Sequence, residues 1–257
     1  MDSLTLLLTV AMSIFLRGQT PDKTDLSRLF KGHDGCFVMF DRNKNEYFRY
    51  DSSRCAKRFL PASTFKIPHA VIALETGVIP DTNYVIKWDG TNYDIKEWMR
   101  DQNLASAIRY SVVWFFQDIA RKIGRAGEQH FLDTLCYGNK TIGKEVDRFW
   151  LDNSLKISAD EQIELLRKLY SDSLSVSKRS METVKAILPA EVHGKAIMKF
   201  KTGMGHSDRF TGWLVGFVER ESDVYLFAFN IDGENFEETS ALRDSVPREI
   251  MSKIGIL

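Results

Sequence analysis

An excess of charge of either sign is missing from this 257-residue chain: Lys and Arg total 35, and Asp and Glu total 35. With no basic surplus there is no electrostatic footprint for a nucleic-acid partner. Cysteine is scarce too. The three present, Cys36, Cys55 and Cys136, form neither a disulfide framework nor a zinc-ligand spacing. Cys36 and Cys55 flank a predicted hairpin and are placed to meet across it, as a disulfide or as two buried thiols; Cys136 fits neither case. No segment is long and apolar enough to span a bilayer, so stable membrane insertion is not expected. The uncharged run Leu4 to Leu16 covers 13 residues, against about 20 for a spanning helix. That length suits the apolar region of a signal peptide, expected over residues 1–20, with a periplasmic or secreted product. The leader is atypical: Asp2 stands where a positive charge is usual, and no clean A-x-A site follows. Internal repeats and low-complexity segments are also lacking.

What is present reads as a globular chain: 44% hydrophobic and 12% aromatic residues are enough to build a core. Residues 35–41 and 45–51 are β-rich runs around the polar turn RNKN and predict a hairpin. After Pro61, the apolar positions Phe65, Ile67, Ala70, Val71 and Leu74 predict a helix from about Ala62 to Gly77. Helical periodicity dominates from about 95 to 190. One helix is expected to start after Ser111 and stop at Gly124. A second opens on a capping box, Ser158 and Glu161, and runs to 170; a third covers 177–188. Three β-type runs follow at 195–203, 209–220 and 223–232, then a helix over about 239–254. Strands at both ends and helices between predict an α+β fold: an antiparallel sheet with flanking helices and an inserted helical region. One catalytic domain is expected over 21–257, its sheet part at about 27–62 and 190–257, its helical part at about 63–189.

Four short stretches hold residues able to do chemistry. In "PASTFKIP", Ser63 and Lys66 lie three positions apart at a helix start. There a backbone N–H is free to steady an oxyanion, and a neutral lysine is placed to take the serine proton. Ser111 opens an apolar run, "CYGNK" at 136–140 makes a turn, and "KFKTGMG" at 199–205 ends a predicted strand. Alone, each has an ordinary explanation: a capping serine with a solvated lysine, an N-cap, a loop, and edge-strand lysines. Together and in this order they match the S-x-x-K … K-T-G pattern of penicillin-recognising serine enzymes.

From about residue 27 onward the chain resembles the class D, oxacillinase-type serine β-lactamases. The resemblance rests on Ser63-Thr64-Phe65-Lys66, Ser111-Val112-Val113, Tyr137-Gly138-Asn139 and Lys201-Thr202-Gly203, supported by "FWLDNSLKIS" around Trp150 and Leu151. It implies the penicillin-recognising serine enzyme fold and hydrolysis of small-molecule β-lactams through an acyl-Ser63 intermediate, conferring β-lactam resistance. Lys66 would be N-carboxylated by CO₂ or bicarbonate and act as general base. Val113, where class A enzymes carry a polar Asn, would desolvate Lys66 and favour its neutral form. The Trp150 indole N–H would bind the carbamate, Ser111 would pass the proton to the leaving nitrogen, and Lys201 would supply positive potential. Ser63 and Met204 would form the oxyanion hole. Val113, Leu151, Thr202, Gly203 and Arg243 would line the substrate site, Arg243 gripping the substrate carboxylate. No metal and no further cofactor are implied, and the protein would be a monomer or homodimer. Trp114 departs from the family, where proline is common. Tryptophan there also occurs in β-lactam sensor domains, which are acylated but deacylate slowly; such a sensor, or a penicillin-binding domain, is the alternative.

Overall fold

The structure, a computed structural model, describes residues 26–257. The expected leader lies outside the described residues. Along the chain come β1 (Gly35–Asp41), β2 (Glu46–Tyr50) and a short helix α1 (Ser52–Ala56). A 3₁₀ turn at Ala62–Phe65 leads into α2 (Lys66–Glu75). The helical region contains a two-stranded ladder, β3 (Val85–Ile86) with β4 (Gln102–Asn103), then α3 (Leu104–Arg109), α4 (Val113–Thr134), α5 (Ala159–Tyr170) and α6 (Lys178–Ile187). The chain returns through β5 (Ala190–His193), β6 (Ala196–His206), β7 (Phe210–Arg220) and β8 (Asp223–Gly233) to α7 (Phe236–Lys253).

The sheet expected from the two ends of the sequence is observed, antiparallel throughout, in the order β2-β1-β8-β7-β6-β5. Period-two alternation gives it two apolar faces. Cys36, Val38 and Phe40 of β1, Trp213, Val215 and Phe217 of β7, and Leu226 and Ala228 of β8 face the helical region. Phe37, Met39, Leu214, Val218, Phe227 and Phe229 face α7 and the N-terminal residues Leu26 and Phe30.

Several boundaries differ from the sequence expectation, each for a local reason. β6 does not stop at Gly203 but runs to His206, paired with β7 along its whole length, so Lys201 is in mid-strand and buried. The edge position belongs to β5, too short and too polar to be seen in the sequence. Gly124 interrupts α4 with φ +74°, ψ 164°, as its stop signal predicted, but the helix resumes and reaches Thr134. The Ser158–Glu161 capping box forms as expected. Cys36 and Cys55 are both buried, free thiols in mutual contact, and Cys136 is exposed.

Gly138 needs its glycine. It sits at φ +53°, and a Cβ there would lie 2.0 Å from the Lys156 carbonyl oxygen. The adjoining Asn139 ties the 149–157 loop down: its N–H donates to Lys156 O (2.9 Å), its Nδ2 donates to Ser154 O (2.8 Å), and its Oδ1 accepts from Lys156 N (2.9 Å). Gly138→Ala is therefore expected to destabilise the protein by roughly 2–3 kcal/mol. A urea unfolding midpoint equal to wild type would show that the loop yields at no cost.

Candidate active site

Pro61 and Thr64 shape the turn that carries Ser63. Thr64 Oγ1 donates to the Pro61 carbonyl (2.7 Å) and accepts from Gln162 Nε2 of α5 (2.9 Å). Trp213 of β7 donates its indole N–H to Leu60 O (2.9 Å). Held at both ends, the chain takes a left-handed conformation at Ala62 (φ +47°), strained for a residue with a Cβ. Ser63 thus lies in a 3₁₀ turn ahead of α2, not in the first turn of an α-helix. β6 passes against this turn, and Gly203 makes the approach possible: a Cβ there would lie 3.0 Å from both Pro61 O and Thr64 Cγ2.

Lys66, the first residue of α2, reaches back so that its Nζ is 2.8 Å from Ser63 Oγ. It is fully buried. Burial first, and then the nearby charge of Lys201, holds its pKa well below the ordinary lysine value. Val113 is half-buried at the start of α4. The apolar surface against the amine includes Phe116, with its ring centroid 5.4 Å from Nζ. Phe116 lies in the apolar run that follows Ser111.

Ser111 does not cap α4, as its sequence context suggested. Val112 takes the N-cap position, and Ser111 is turned to φ +54°, sending its hydroxyl to Lys201 Nζ at 2.5 Å. A chain of tryptophans holds this second strained turn. Trp98 donates to the carbonyl of Tyr110 (2.9 Å), and Trp114 donates to the carbonyl of Trp98 (3.0 Å). Trp114, the departure from the common proline, thus clamps the 96–98 turn against the start of α4; Trp98 was not anticipated. Lys201 also donates to Thr202 O (3.0 Å). Its burial, with the charge of Arg243 second, brings its pKa down to about 7.

Beyond Phe200 no described strand covers the outer edge of β6, so main-chain groups of Thr202, Gly203 and Met204 lie along an open edge. Met204 is half-buried opposite Gly212, and a Cβ on Gly212 would approach Arg243 Cβ at 3.0 Å. Arg243 is already engaged: Nε and Nη2 donate to Asp244 (2.9 and 3.0 Å), and Nη2 also donates to Ser240 Oγ (2.9 Å). Leu151 is half-buried in the 149–157 loop. Trp150 beside it is fully buried, stacked on Phe65 (centroids 5.7 Å), and its indole N–H has no partner among the described residues. A donor-only group left unpaired in a core is costly unless an anion or another acceptor meets it.

The geometry unites the Ser63 hydroxyl, two buried lysines and a second serine on a strained turn. The match to known proteins is correspondingly close. The family model "Penicillin binding protein transpeptidase domain" covers residues 35–253. The β-lactamase OXA-10 of Pseudomonas aeruginosa is 41% identical over 251 residues, 95% of this chain and 94% of that protein. The chain belongs to the class D β-lactamases. A crystal structure of the class D β-lactamase YbXI from Nostoc superposes with a TM-score of 0.86 at 38% identity, covering 90% of this chain and 99% of the other. The regulatory protein BlaR1 of Bacillus licheniformis is 35% identical across 94% of this chain, which spans 41% of that longer protein.

Two depressed lysines give a class D β-lactamase a definite pH dependence of stability. An unfolded lysine titrates near 10.4, so above about pH 7 the unfolded chain binds more protons than the native one. Stability contributed by this pair therefore rises with pH between 7 and 8.5, by up to ~1.4 kcal/mol per unit for each lysine. Urea midpoints in bicarbonate-free buffer at pH 7 and 8.5 should increase for wild type and increase less for Lys201→Met. Parallel pH profiles in the two proteins would contradict the depressed Lys201.

Proposed function

We propose that the protein hydrolyses the amide bond of β-lactams through a covalent ester on Ser63, with N-carboxylated Lys66 as the base. The observation that carries this is the fully buried Lys66 amine, 2.8 Å from Ser63 Oγ and within an aromatic cluster that also holds the unpaired Trp150 N–H. An amine kept neutral has a free lone pair able to attack CO₂; it loses one proton and leaves an anionic carbamate. That group supplies a base of moderate strength where a charged lysine has none to offer.

The residues around it fit an anion: Trp150 Nε1 is a donor without an acceptor, and Lys201 adds positive potential. Lys66 so modified takes the Ser63 proton while Oγ attacks the β-lactam carbonyl carbon. The main-chain N–H groups of Ser63 and Met204 stabilise the oxyanion. The Ser111 hydroxyl, 2.5 Å from Lys201, passes a proton to the departing ring nitrogen as the C–N bond breaks. Lys66 then activates water against the Ser63 ester. Thr202 and Gly203 on the open edge of β6, with Val113 and Leu151, line the substrate. Arg243 meets the substrate carboxylate by exchanging one of its contacts to Asp244.

Residues 21–257 act as one catalytic domain, a monomer or homodimer. Export through the 1–20 leader places it in the periplasm or outside the cell, where β-lactam resistance requires it. Among the described residues no helix is long and apolar enough to cross a membrane.

A sensor function, in which the ester persists, is the second reading; the similarity to BlaR1 and the tryptophan at 114 favour it. Steady-state turnover of a chromogenic cephalosporin, rising with added bicarbonate, is the expected result. A single burst with a stable adduct on Ser63 would instead establish the sensor. Trp150→Ala is expected to slow deacylation about 10²-fold and acylation less, measured by stopped-flow and by mass spectrometry of the adduct. Equal losses in the two steps would remove Trp150 from the role of carbamate donor.

A further inference from the structure

Behind the catalytic lysine two ionisable side chains are sealed in the core and take no part in the reaction above. His69 of α2 and Glu128 of α4 both have side chains 0% exposed, and His69 Nε2 lies 2.8 Å from Glu128 Oε1. A buried acid–imidazole pair carries a desolvation cost that apolar side chains of similar volume would avoid, so its location calls for a reason. His69 follows Lys66 by three residues, less than one helical turn. Its ring lies 5.1 Å from Phe65, 5.5 Å from Phe116 and 5.1 Å from Trp150, meeting the indole edge-on at 62°. Phe116 is the ring against Lys66 Nζ, and Trp150 holds the unpaired N–H. The imidazole therefore connects the apolar surface beside the lysine to the indole that faces an anion in the proposed mechanism.

Apolar packing alone leaves such a ring free to rotate about its last torsion, since that torsion is broad and soft. The hydrogen bond to Glu128 removes this freedom. Nε2 and Oε1 share one hydrogen bond whichever of them donates, and it fixes the ring plane from the opposite helix. Glu128 reaches this spot because α4 resumes after its break at Gly124.

We infer that His69 and Glu128 are positioning residues for Trp150: the imidazole, anchored by Glu128, holds the indole where its N–H meets the carboxylated Lys66. The inference rests on Lys66 being carboxylated. Its consequence is that the pair sets how tightly CO₂ is retained on the lysine, a property apart from the stability of the fold.

The experiment uses the full chain and three variants: Glu128→Gln, whose amide can still hydrogen-bond to Nε2; Glu128→Met, which removes the partner; and His69→Phe/Glu128→Met, an apolar replacement of both. Each is titrated with bicarbonate in a hydrolysis assay. The carbamate carbon is followed by NMR with ¹³C-bicarbonate, and thermal midpoints are measured in parallel. Glu128→Gln is expected to stay within about twofold of wild type. Glu128→Met and the double variant are expected to need about fivefold more bicarbonate for half-maximal activity, equivalent to losing one net hydrogen bond. Excess bicarbonate restores their rates, and the double variant keeps or raises the thermal midpoint. A double variant with the wild-type bicarbonate requirement would overturn the inference. So would a loss in every variant that follows the thermal midpoint and resists excess bicarbonate, as a purely structural pair would give. Absence of a ¹³C-carbamate signal in wild type would instead remove the carboxylated lysine itself, and with it the role assigned to the pair.

Discussion

The desolvation of one amine governs the arrangement around it. Among the described residues Lys66 has no carboxylate partner; its neighbours include a serine hydroxyl, an aromatic ring and the charge of another lysine. In water such a side chain is an ammonium ion and useless as a base. Buried, it moves toward the neutral form because the charged one loses its hydration with nothing to replace it. Positive charges stand in series behind it. Arg243 depresses Lys201, and Lys201 depresses Lys66. Each cation makes the next harder to protonate, and Arg243, closest to Asp244, is the one whose charge is directly balanced.

Keeping that amine beside the Ser63 hydroxyl goes with two turns that the backbone does not favour. Ala62 and Ser111 both have positive φ without being glycine. Each is held by interactions that arrive from distant sequence: Gln162 and Trp213 at the Ser63 turn, Trp98 and Trp114 at the Ser111 turn. The sheet supplies the third side. β6 lies flush with the Ser63 turn because Gly203 presents no side chain to it, which puts Lys201 within reach of Ser111 from the other end of the chain. Strain, close packing and buried charge are concentrated in one place and are offset by the two apolar faces of the sheet.

Several elements were legible in the sequence because their causes are local. The Ser158–Glu161 capping box, the break at Gly124 and the two hairpins follow from short-range signals and from alternation over strands. The four motifs also named the family before any coordinate, since together they recur in a fixed order. Other features had no local signal. β5 is four residues long and none of them is buried. His69 and Glu128 look like a helix histidine and a surface glutamate until the two helices are packed together. Taken alone, Ser111 has the look of an N-cap, since a serine before an apolar run usually is one; its motif pointed elsewhere, and in the structure a lysine ninety positions away takes its hydroxyl.

The sequence alone determined the four motifs and their order, the alternation that makes an antiparallel sheet, and the absence of a charge bias or a metal-ligand pattern. These depend on residue type and spacing, and type and spacing are what a sequence states. Tertiary structure decided the protonation of Lys66 and Lys201, the strained turns that aim Ser63 and Ser111, the unpaired indole of Trp150 and the buried His69–Glu128 pair. The reason is physical: a pKa, a strained φ and an unsatisfied donor are properties of surroundings, and here the surroundings come from residues that the chain keeps far apart until it folds.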